Sequence, residues 1–278
     1  MFATFRVLSV AFTLLAGLAA TAHADDVAPD EPEVARPLGL TTDPDAVCPT
    51  QVAKVLAIGS STLGAPLGTL LGRAITKAGL GWYRLAAASS GLARPDFWDW
   101  AEKARRLVAE QDPDVVIVQL GSNDFQPVVT PHAVKPWPWR AVRRGKPEWA
   151  DIYGARIDEL LAILGGGDRQ RLVIWVGPYA YWGENAAEQG PIIDQLLRDR
   201  ISTWIAKGGF ARYVDVWRET WTSRNEPVMK RALPGKRGLV EIRSSDNVHL
   251  NVMAVQALLA DPVVAEVLGC LPASASAE

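Results

Sequence analysis

The stretch KVLAIGSSTLG, residues 54–64, decides the fold of this chain. Residues 55–58 form a short apolar run with β-branched side chains, which predicts a buried strand. Residues 59–61, Gly-Ser-Ser, end the run, and the apolar segment Leu67–Ala78 that follows predicts a helix. Ser61 is therefore expected at the turn between a buried strand and a helix N-terminus. Open α/β sheets place ligands at such turns, and unpaired backbone N–H groups there favour negative charge.

The rest of the chain continues this alternation of strand and helix patterns. Strands are predicted at Val52–Gly59, Trp82–Ala88, Val115–Gly121, Leu172–Gly177 and Tyr213–Trp217. Helices are predicted at Leu67–Lys77, Asp96–Glu110, Ala150–Leu164, Ile192–Lys207 and Val252–Leu268, the last kinked or split by Pro262. Several strands are almost wholly apolar, which indicates a parallel sheet covered by helices on both faces. The predicted fold is a three-layer α/β/α sandwich with a five-stranded parallel sheet.

The first residues, 1–24, predict a secretory signal peptide. Arg6 gives a positive start, residues 7–20 are apolar, and Ala-His-Ala at 22–24 has the pattern of a cleavage site. A membrane anchor is the alternative, but the apolar run is short for a span of about 20 residues. The mature protein is therefore expected to be periplasmic or secreted, without a stable membrane anchor.

Residues 25–47, rich in Pro, Asp and Glu, predict a disordered lead-in to one domain at 48–278. Cys48 and Cys270 bracket the core elements and are a candidate disulfide in an oxidising compartment, with two buried thiols as the alternative. The connection at 126–147 is unusually long and rich in proline and tryptophan. Loops of this length are typically functional lids or disordered, and the tryptophans favour a lid-like insertion.

The charge balance gives no argument for a nucleic-acid partner, since 29 Lys and Arg face 31 Asp and Glu. The few histidines form no cluster with metal-ligand spacing, so neither a metal nor another cofactor is expected. The sequence does not indicate an oligomeric state.

A nucleophilic serine needs a base, and the sequence offers two histidines outside the predicted signal peptide. His249 lies just before the last predicted helix, with Asp246 three residues upstream, where a carboxylate can orient the imidazole ring. His132 lies among prolines and has no adjacent carboxylate. A surface turn is the ordinary interpretation of an isolated Asp-x-x-His. This one follows the fifth strand, at the sheet edge expected for Ser61, which favours a Ser-His-Asp triad.

An acyl-transfer site also needs hydrogen-bond donors for the developing oxyanion. The third strand ends in a Gly-Ser-Asn-Asp sequence, which brings the Asn123 amide to the same edge. The second strand is followed by Gly91, which allows close backbone approach. With the Ser61 N–H, these groups predict an oxyanion hole of two backbone donors and one side chain.

Four blocks of this sequence resemble those of the SGNH hydrolase superfamily, the GDSL-type esterases and lipases. The blocks are Gly59-Ser60-Ser61, Gly91, Gly121-Ser122-Asn123-Asp124 and Asp246-Asn247-Val248-His249, and the resemblance covers Val52 to Leu268. The sequence around Gly91 resembles an exported bacterial branch of that superfamily. The resemblance implies a flavodoxin-like fold and acyl-ester chemistry, with Ser61 as nucleophile, His249 as base, Asp246 as its orienter, and Ser61, Gly91 and Asn123 as the oxyanion hole.

The sequence departs from the family at Ser60, where the family usually has Asp. The triad chemistry does not need that carboxylate, but the geometry of the turn depends on what replaces it. Some acyl-transfer relatives lack this Asp, so an O-acyltransferase acting on an envelope polysaccharide is an alternative. A non-catalytic glycan-binding protein on the same fold is another.

Tryptophans in predicted loops suggest the substrate class. Trp137, Trp139 and Trp182 follow the third and fourth strands, on the reacting side. Flat rings at the mouth of a site suit a sugar or an aryl group, so a carbohydrate ester with a short acyl group is favoured slightly over a generic small ester. The basic run at 140–146 could meet an anionic polymer, but a solvated loop face is the simpler interpretation.

Overall fold

The strands of the described residues form one central sheet and two short hairpins. A computed structural model describes residues 48–131, 139–143, 146–167, 170–183, 186–222 and 226–272, all in one unit, 35–278. Its strands are β1 (Lys54–Gly59), β2 (Gly81–Ala86), β3 (Val115–Gln119), β4 (Val128–Pro131), β5 (Trp139–Val142), β6 (Leu172–Val176), β7 (Ala211–Val214), β8 (Lys230–Ala232) and β9 (Leu239–Glu241). The predicted signal peptide at 1–24 and lead-in at 25–47 lie outside the described residues.

The central sheet has five parallel strands in the order β2-β1-β3-β6-β7. This is the 2-1-3-4-5 order of flavodoxin-like sheets, whose ligand site lies where the order reverses, beside the first strand. The inner strands β1, β3 and β6 are almost wholly buried because helices cover both of their faces.

Helices form the two outer layers. They are α1 (Gly68–Lys77), α2 (Trp100–Gln111), α3 (Pro147–Gly165), α4 (Ala186–Ala206), α5 (Trp217–Thr220), α6 (Val252–Val255) and α7 (Asp261–Leu268). On one face, α2, α3 and α4 pack Trp100, Tyr153 and Ile193 against the sheet. On the other, α1 and the C-terminal helical segment bury Leu71 and Val263. The predicted α/β/α sandwich is therefore confirmed.

At Pro262, where the sequence predicts a kink or a split, the last helical segment changes its helix type but is not broken. A π-helical turn, Gln256–Ala260, joins α6 to α7, and the backbone stays right-handed at Ala260 and Asp261. The Asp261 N–H donates to the Gln256 carbonyl, five residues back, so the wider turn takes up the proline at the start of α7.

The register of the sheet brings three loops to one level. Gly59, the last residue of β1, pairs with Ala86 of β2 on one side and Gln119 of β3 on the other. The chain beyond each of these residues emerges at the same carboxyl edge. Ser61, Gly91 and Asn123 thus follow three adjacent strand ends, which places them together at the predicted edge.

Two antiparallel hairpins accompany the sheet. β4 and β5 lie in the connection predicted as a lid-like insertion at 126–147, of which 132–138 and 144–145 lie outside the described residues. β8 and β9 precede the segment that carries His249.

A disulfide joins Cys48 to Cys270, closing the two ends of the described chain. In the part of the chain that the structure describes, no helix has the length and apolarity needed to cross a bilayer.

Candidate active site

The turn after β1 leaves Ser61 as its accessible side chain. The Ser60 hydroxyl donates to Gln119 Oε1 at 3.0 Å, and the Ser60 N–H bonds to the Gln119 carbonyl at 3.2 Å. On the other side, Thr62 Oγ1 lies 2.9 Å from the hydroxyl of Tyr179, in the loop after β6. Because both neighbours of Ser61 are buried and fixed, the half-buried Ser61 hydroxyl is held at the sheet edge.

A continuous chain of polar contacts runs from Ser61 to Asp246. Ser61 Oγ lies 3.0 Å from His249 Nε2, and His249 Nδ1 lies 2.7 Å from Asp246 Oδ2. The side chains of His249 and Asp246 are 40% and 48% exposed. The structure therefore brings the three predicted triad residues together at an open surface.

The turn that carries Asp246 and His249 is closed by its own hydrogen bonds. Asp246 Oδ1 accepts the N–H groups of Val248 and His249, each at 2.9 Å, while the Ser244 N–H donates to the His249 carbonyl at 2.8 Å. Asn247 takes a left-handed backbone conformation, φ 56°, at the tip. The imidazole is thus oriented by a carboxylate that the same turn immobilises.

These contacts also keep Asp246 ionised. The hydrogen bond from the His249 ring, followed by those from the His249 and Val248 N–H groups, lowers the pKa of Asp246 from 3.8 to about 2. Asp246 therefore carries its charge throughout the neutral and mildly acidic range.

Two of the three predicted oxyanion donors, Gly91 and Asn123, lie on loops that are tied to each other. Asn123 Nδ2 donates to the Ser90 carbonyl at 3.0 Å, which fixes the peptide just before Gly91. Neither the Ser61 N–H nor the Gly91 N–H donates a hydrogen bond to another described residue. Both backbone donors are thus available at the edge that holds the Ser61 hydroxyl.

The comparisons with known proteins place the chain in a family. The family model described as a protein of unknown function, DUF459, matches residues 54–266. This chain belongs to that family. A search of curated proteins found no match.

Solved structures that a structural comparison matches to this chain include hydrolases and esterases. One is LAE5, an α/β hydrolase from the metagenome of Lake Arreo, with 17% identity over 82% of this chain and 99% of that chain, and a TM-score of 0.49. A family two carbohydrate esterase from Clostridium thermocellum, in complex with cellohexaose, has 14% identity over 81% of this chain and 66% of that chain, with a TM-score of 0.48. An acetyl xylan esterase from Geobacillus stearothermophilus has 18% identity over 80% and 96%, with a TM-score of 0.46. Similarities this distant do not carry an activity or a substrate over to this chain.

In this DUF459 member, Ser60 occupies the position at which SGNH hydrolases usually have Asp, and its hydrogen bonds hold the turn in place. Ser60 is 3% exposed and points at the buried Gln119, the last residue of β3. The amide of Gln119 accepts from both the backbone and the hydroxyl of Ser60. A polar residue ending an apolar strand is the signal that could have identified Gln119, which the sequence analysis missed.

Asp124 is the second residue that the sequence analysis left without a role. It is fully buried, and its Oδ1 accepts the Ala93 N–H at 2.7 Å. Desolvation raises its pKa from 3.8 to about 6, against the opposing effects of the Ala93, Tyr153 and Leu92 donors and of Arg156.

The tryptophans predicted to bind substrate are only partly described. Trp182 follows β6 and is 52% exposed. Trp137 lies outside the described residues, as does the side chain of Trp139. A separate cavity of about 230 Å³ adjoins Gly91 and is lined by Trp98, Trp100 and Arg156, among others. Within the described residues, no cluster of three or more His, Cys, Asp or Glu could hold a metal ion.

Proposed function

We propose that this protein is an exported serine esterase that cleaves short-chain acyl esters. The observation that carries the proposal is the polar chain Ser61–His249–Asp246, with successive contacts of 3.0 and 2.7 Å. In this proposal Ser61 is the nucleophile, His249 the general base and Asp246 the group that orients the imidazole.

The reaction proceeds in two halves. Ser61 Oγ attacks the ester carbonyl while His249 Nε2 takes its proton, and the new oxyanion accepts hydrogen bonds from the Ser61 N–H, the Gly91 N–H and the Asn123 amide. Collapse of this intermediate breaks the ester C–O bond, and His249 returns the proton to the departing alcohol. Water, deprotonated by His249, then attacks the acyl-enzyme. The acyl C–O bond to Ser61 breaks, His249 returns the proton to Ser61 Oγ, and the acid is released.

A carbohydrate ester is the proposed substrate. The half-exposed His249 and Asp246 side chains leave room for a bulky alcohol, such as one sugar of a polysaccharide. Trp182, exposed after β6, offers a flat apolar surface for a sugar ring. A short acyl group, such as acetyl, is proposed for the acid part.

Export is proposed from two observations. Residues 1–24 have the pattern of a secretory signal, and the Cys48–Cys270 disulfide suits an oxidising compartment.

A fluorophosphonate probe tests the proposal. We expect labelling of Ser61, mapped by peptide mass spectrometry, and its loss in His249→Ala, together with faster hydrolysis of aryl acetates than of long-chain esters. Folded protein that neither labels at Ser61 nor hydrolyses esters would contradict the esterase and favour a glycan-binding role. Adding candidate glycans to the assay separates release of acyl groups to water from transfer to a sugar hydroxyl.

A further inference from the structure

A buried carboxylate binds the N–H group of the Leu92–Ala93 peptide, which lies just beyond Gly91. Asp124 Oδ1 accepts the Ala93 N–H at 2.7 Å, and Asp124 Oδ2 accepts the hydroxyl of Tyr153, from α3, at 2.8 Å. Asp124 and Tyr153 are both fully buried. The carboxylate therefore connects the Gly91 loop to the helical layer beneath it.

The carbonyl side of the same peptide is held by a guanidinium. Arg156 Nη1 donates to the carbonyls of Leu92 and Ala93, at 2.7 and 3.0 Å, and Nη2 donates to the carbonyl of Val129 in β4. The Val129 N–H in turn donates to the Ala93 carbonyl at 3.0 Å. Residues 92–93 are thus fixed by contacts to both sides of their backbone.

The loops that carry two of the predicted oxyanion donors, Gly91 and Asn123, converge on Asp124. Asn123 is its neighbour in sequence, and Gly91 touches it in space. A Cβ atom added at Gly91 would lie 2.2 Å from Asp124 Oδ1 and 2.6 Å from its Cγ, so only glycine fits against the carboxylate. A shift of Asp124 would therefore move the Asn123 amide and the Gly91 N–H together.

We propose that Asp124 and Arg156 are positioning residues that hold the Gly91 N–H and the Asn123 amide in the geometry of an oxyanion hole. This inference rests on the proposed esterase function. Hydrogen bonds to an ionised acceptor are about twice as strong as those to a neutral one, so a carboxylate restrains the Leu92–Ala93 peptide more tightly than an amide would. A displacement of about 1 Å in such donors is enough to lower the rate strongly.

Asp124→Asn and Arg156→Lys test the proposal, because each roughly keeps the length of the side chain but weakens its hydrogen bonds to the Leu92–Ala93 backbone. Lys cannot reproduce the fork of contacts that Arg156 makes. Asp194→Asn is the matched control: Asp194 is also a buried carboxylate that accepts a tyrosine hydroxyl, from Tyr213, but it joins α4 to β7.

The readouts are kcat per titrated active site, KM, and the inhibition constant of an aryl boronic acid. The boronate forms a bond from Ser61 Oγ to boron while the serine proton passes to His249, which gives a tetrahedral anion held by the oxyanion donors. We expect Asp124→Asn to lower kcat by about 10- to 50-fold, with KM within threefold, and to weaken boronate binding by a similar factor. Arg156→Lys should follow the same pattern more weakly, and Asp194→Asn should stay within twofold of wild type in kcat.

Kinetics of folded Asp124→Asn that match those of Asp194→Asn would overturn the proposal. Amide hydrogen exchange provides a second measurement that does not depend on activity. We expect faster exchange at the Leu92 and Ala93 N–H groups in Asp124→Asn and Arg156→Lys but not in Asp194→Asn. If wild type proves inactive, the proposed function fails, and unchanged protection of these two amides would then overturn the positioning role separately.

Discussion

Asp246→Asn tests most directly whether Ser61, His249 and Asp246, which contact one another in series at the sheet edge, act as a catalytic triad. The substituted amide keeps an oxygen for the Val248 and His249 N–H groups, so the turn should survive. It also places an NH₂ group where Asp246 Oδ2 now faces His249 Nδ1 at 2.7 Å. That donor favours the imidazole tautomer with hydrogen on Nε2, which then points a proton at Ser61 instead of a lone pair.

Two effects set the magnitude of the loss. The first is the attraction between the Asp246 carboxylate and the imidazolium that His249 becomes in the transition state. Two charges about 4 Å apart interact by roughly 1 kcal/mol in water and 4 kcal/mol at an effective dielectric constant of 20. The Asp246 side chain is 48% exposed, so its interaction lies between these limits. The second is the hydrogen bond that must break to restore the reactive tautomer, about 1 kcal/mol. Together they predict a loss of about 2 to 5 kcal/mol in transition-state stabilisation, or roughly 30- to 5,000-fold in kcat.

The assay is hydrolysis of an aryl acetate by the purified protein, with active sites titrated by a fluorophosphonate. Thermal unfolding of the variant serves as the control for the integrity of the turn. A kcat within threefold of wild type, in a variant with unchanged unfolding temperature, would refute the assignment of Asp246 as the orienting carboxylate.

Three further predictions concern stability. Ser60→Asp should lower the free energy of unfolding by about 1 to 3 kcal/mol in urea titrations, because the new carboxylate would face Gln119 Oε1 in a buried site; unchanged stability with raised activity would show that the family residue fits after all. Burial raises the pKa of Asp124 from 3.8 to about 6, so between these pH values the folded protein binds a proton that the unfolded chain does not. The protonated carboxyl therefore favours the folded state at low pH, and this contribution to stability is lost as the pH rises through about 6. As the pH falls from about 8 to about 4, the free energy of unfolding of wild type should therefore rise by roughly 2 to 3 kcal/mol relative to that of Asp124→Asn. A difference between the two proteins that stays constant with pH would contradict the raised pKa. Cys48→Ser opens a loop closed across 222 residues and should lower the free energy of unfolding by at most about 5 kcal/mol, measured against wild type with and without reductant.

The main sheet could be predicted because its strands carry a local signal. All five residues of β3 and all five of β6 are buried, and each strand is a short apolar run closed by turn residues. The hairpins β4–β5 and β8–β9 could not be predicted in this way. Their strands have only three or four residues, several of them exposed, so no period of two becomes visible.

The elements whose boundaries were misplaced show the same limit. The strand predicted at Tyr213–Trp217 is β7, Ala211–Val214, and Trp217 begins α5 instead. The helix predicted from Ile192 begins at Ala186, with Pro191 inside it. Pro191 removes one backbone hydrogen bond and crowds the carbonyl of Ala187, yet the helix continues through it. A proline therefore does not have to mark the beginning of a helix.

In the candidate site, too, only the contacts between residues close in sequence could be predicted. Asp246 and His249 are three residues apart, so their pairing could be predicted from one turn. Gln119 lies 59 residues from Ser60, and Asp124 lies 31 residues from Ala93. Nothing in the local pattern of one sequence relates such residues, and the contacts of a buried polar group become known only from the folded chain.

The disulfide brings the two ends of the described chain within 5.3 Å, measured between the Cα atoms of Cys48 and Cys270. A short linker could join these ends, and new termini could open at the exposed turn around Gly208, at the sheet edge away from Ser61. In such a circular permutant, the nucleophile and the imidazole would lie a few dozen positions apart, where the natural order separates them by 188. The constellation is thus a property of the sheet rim, independent of the point at which synthesis of the polypeptide begins.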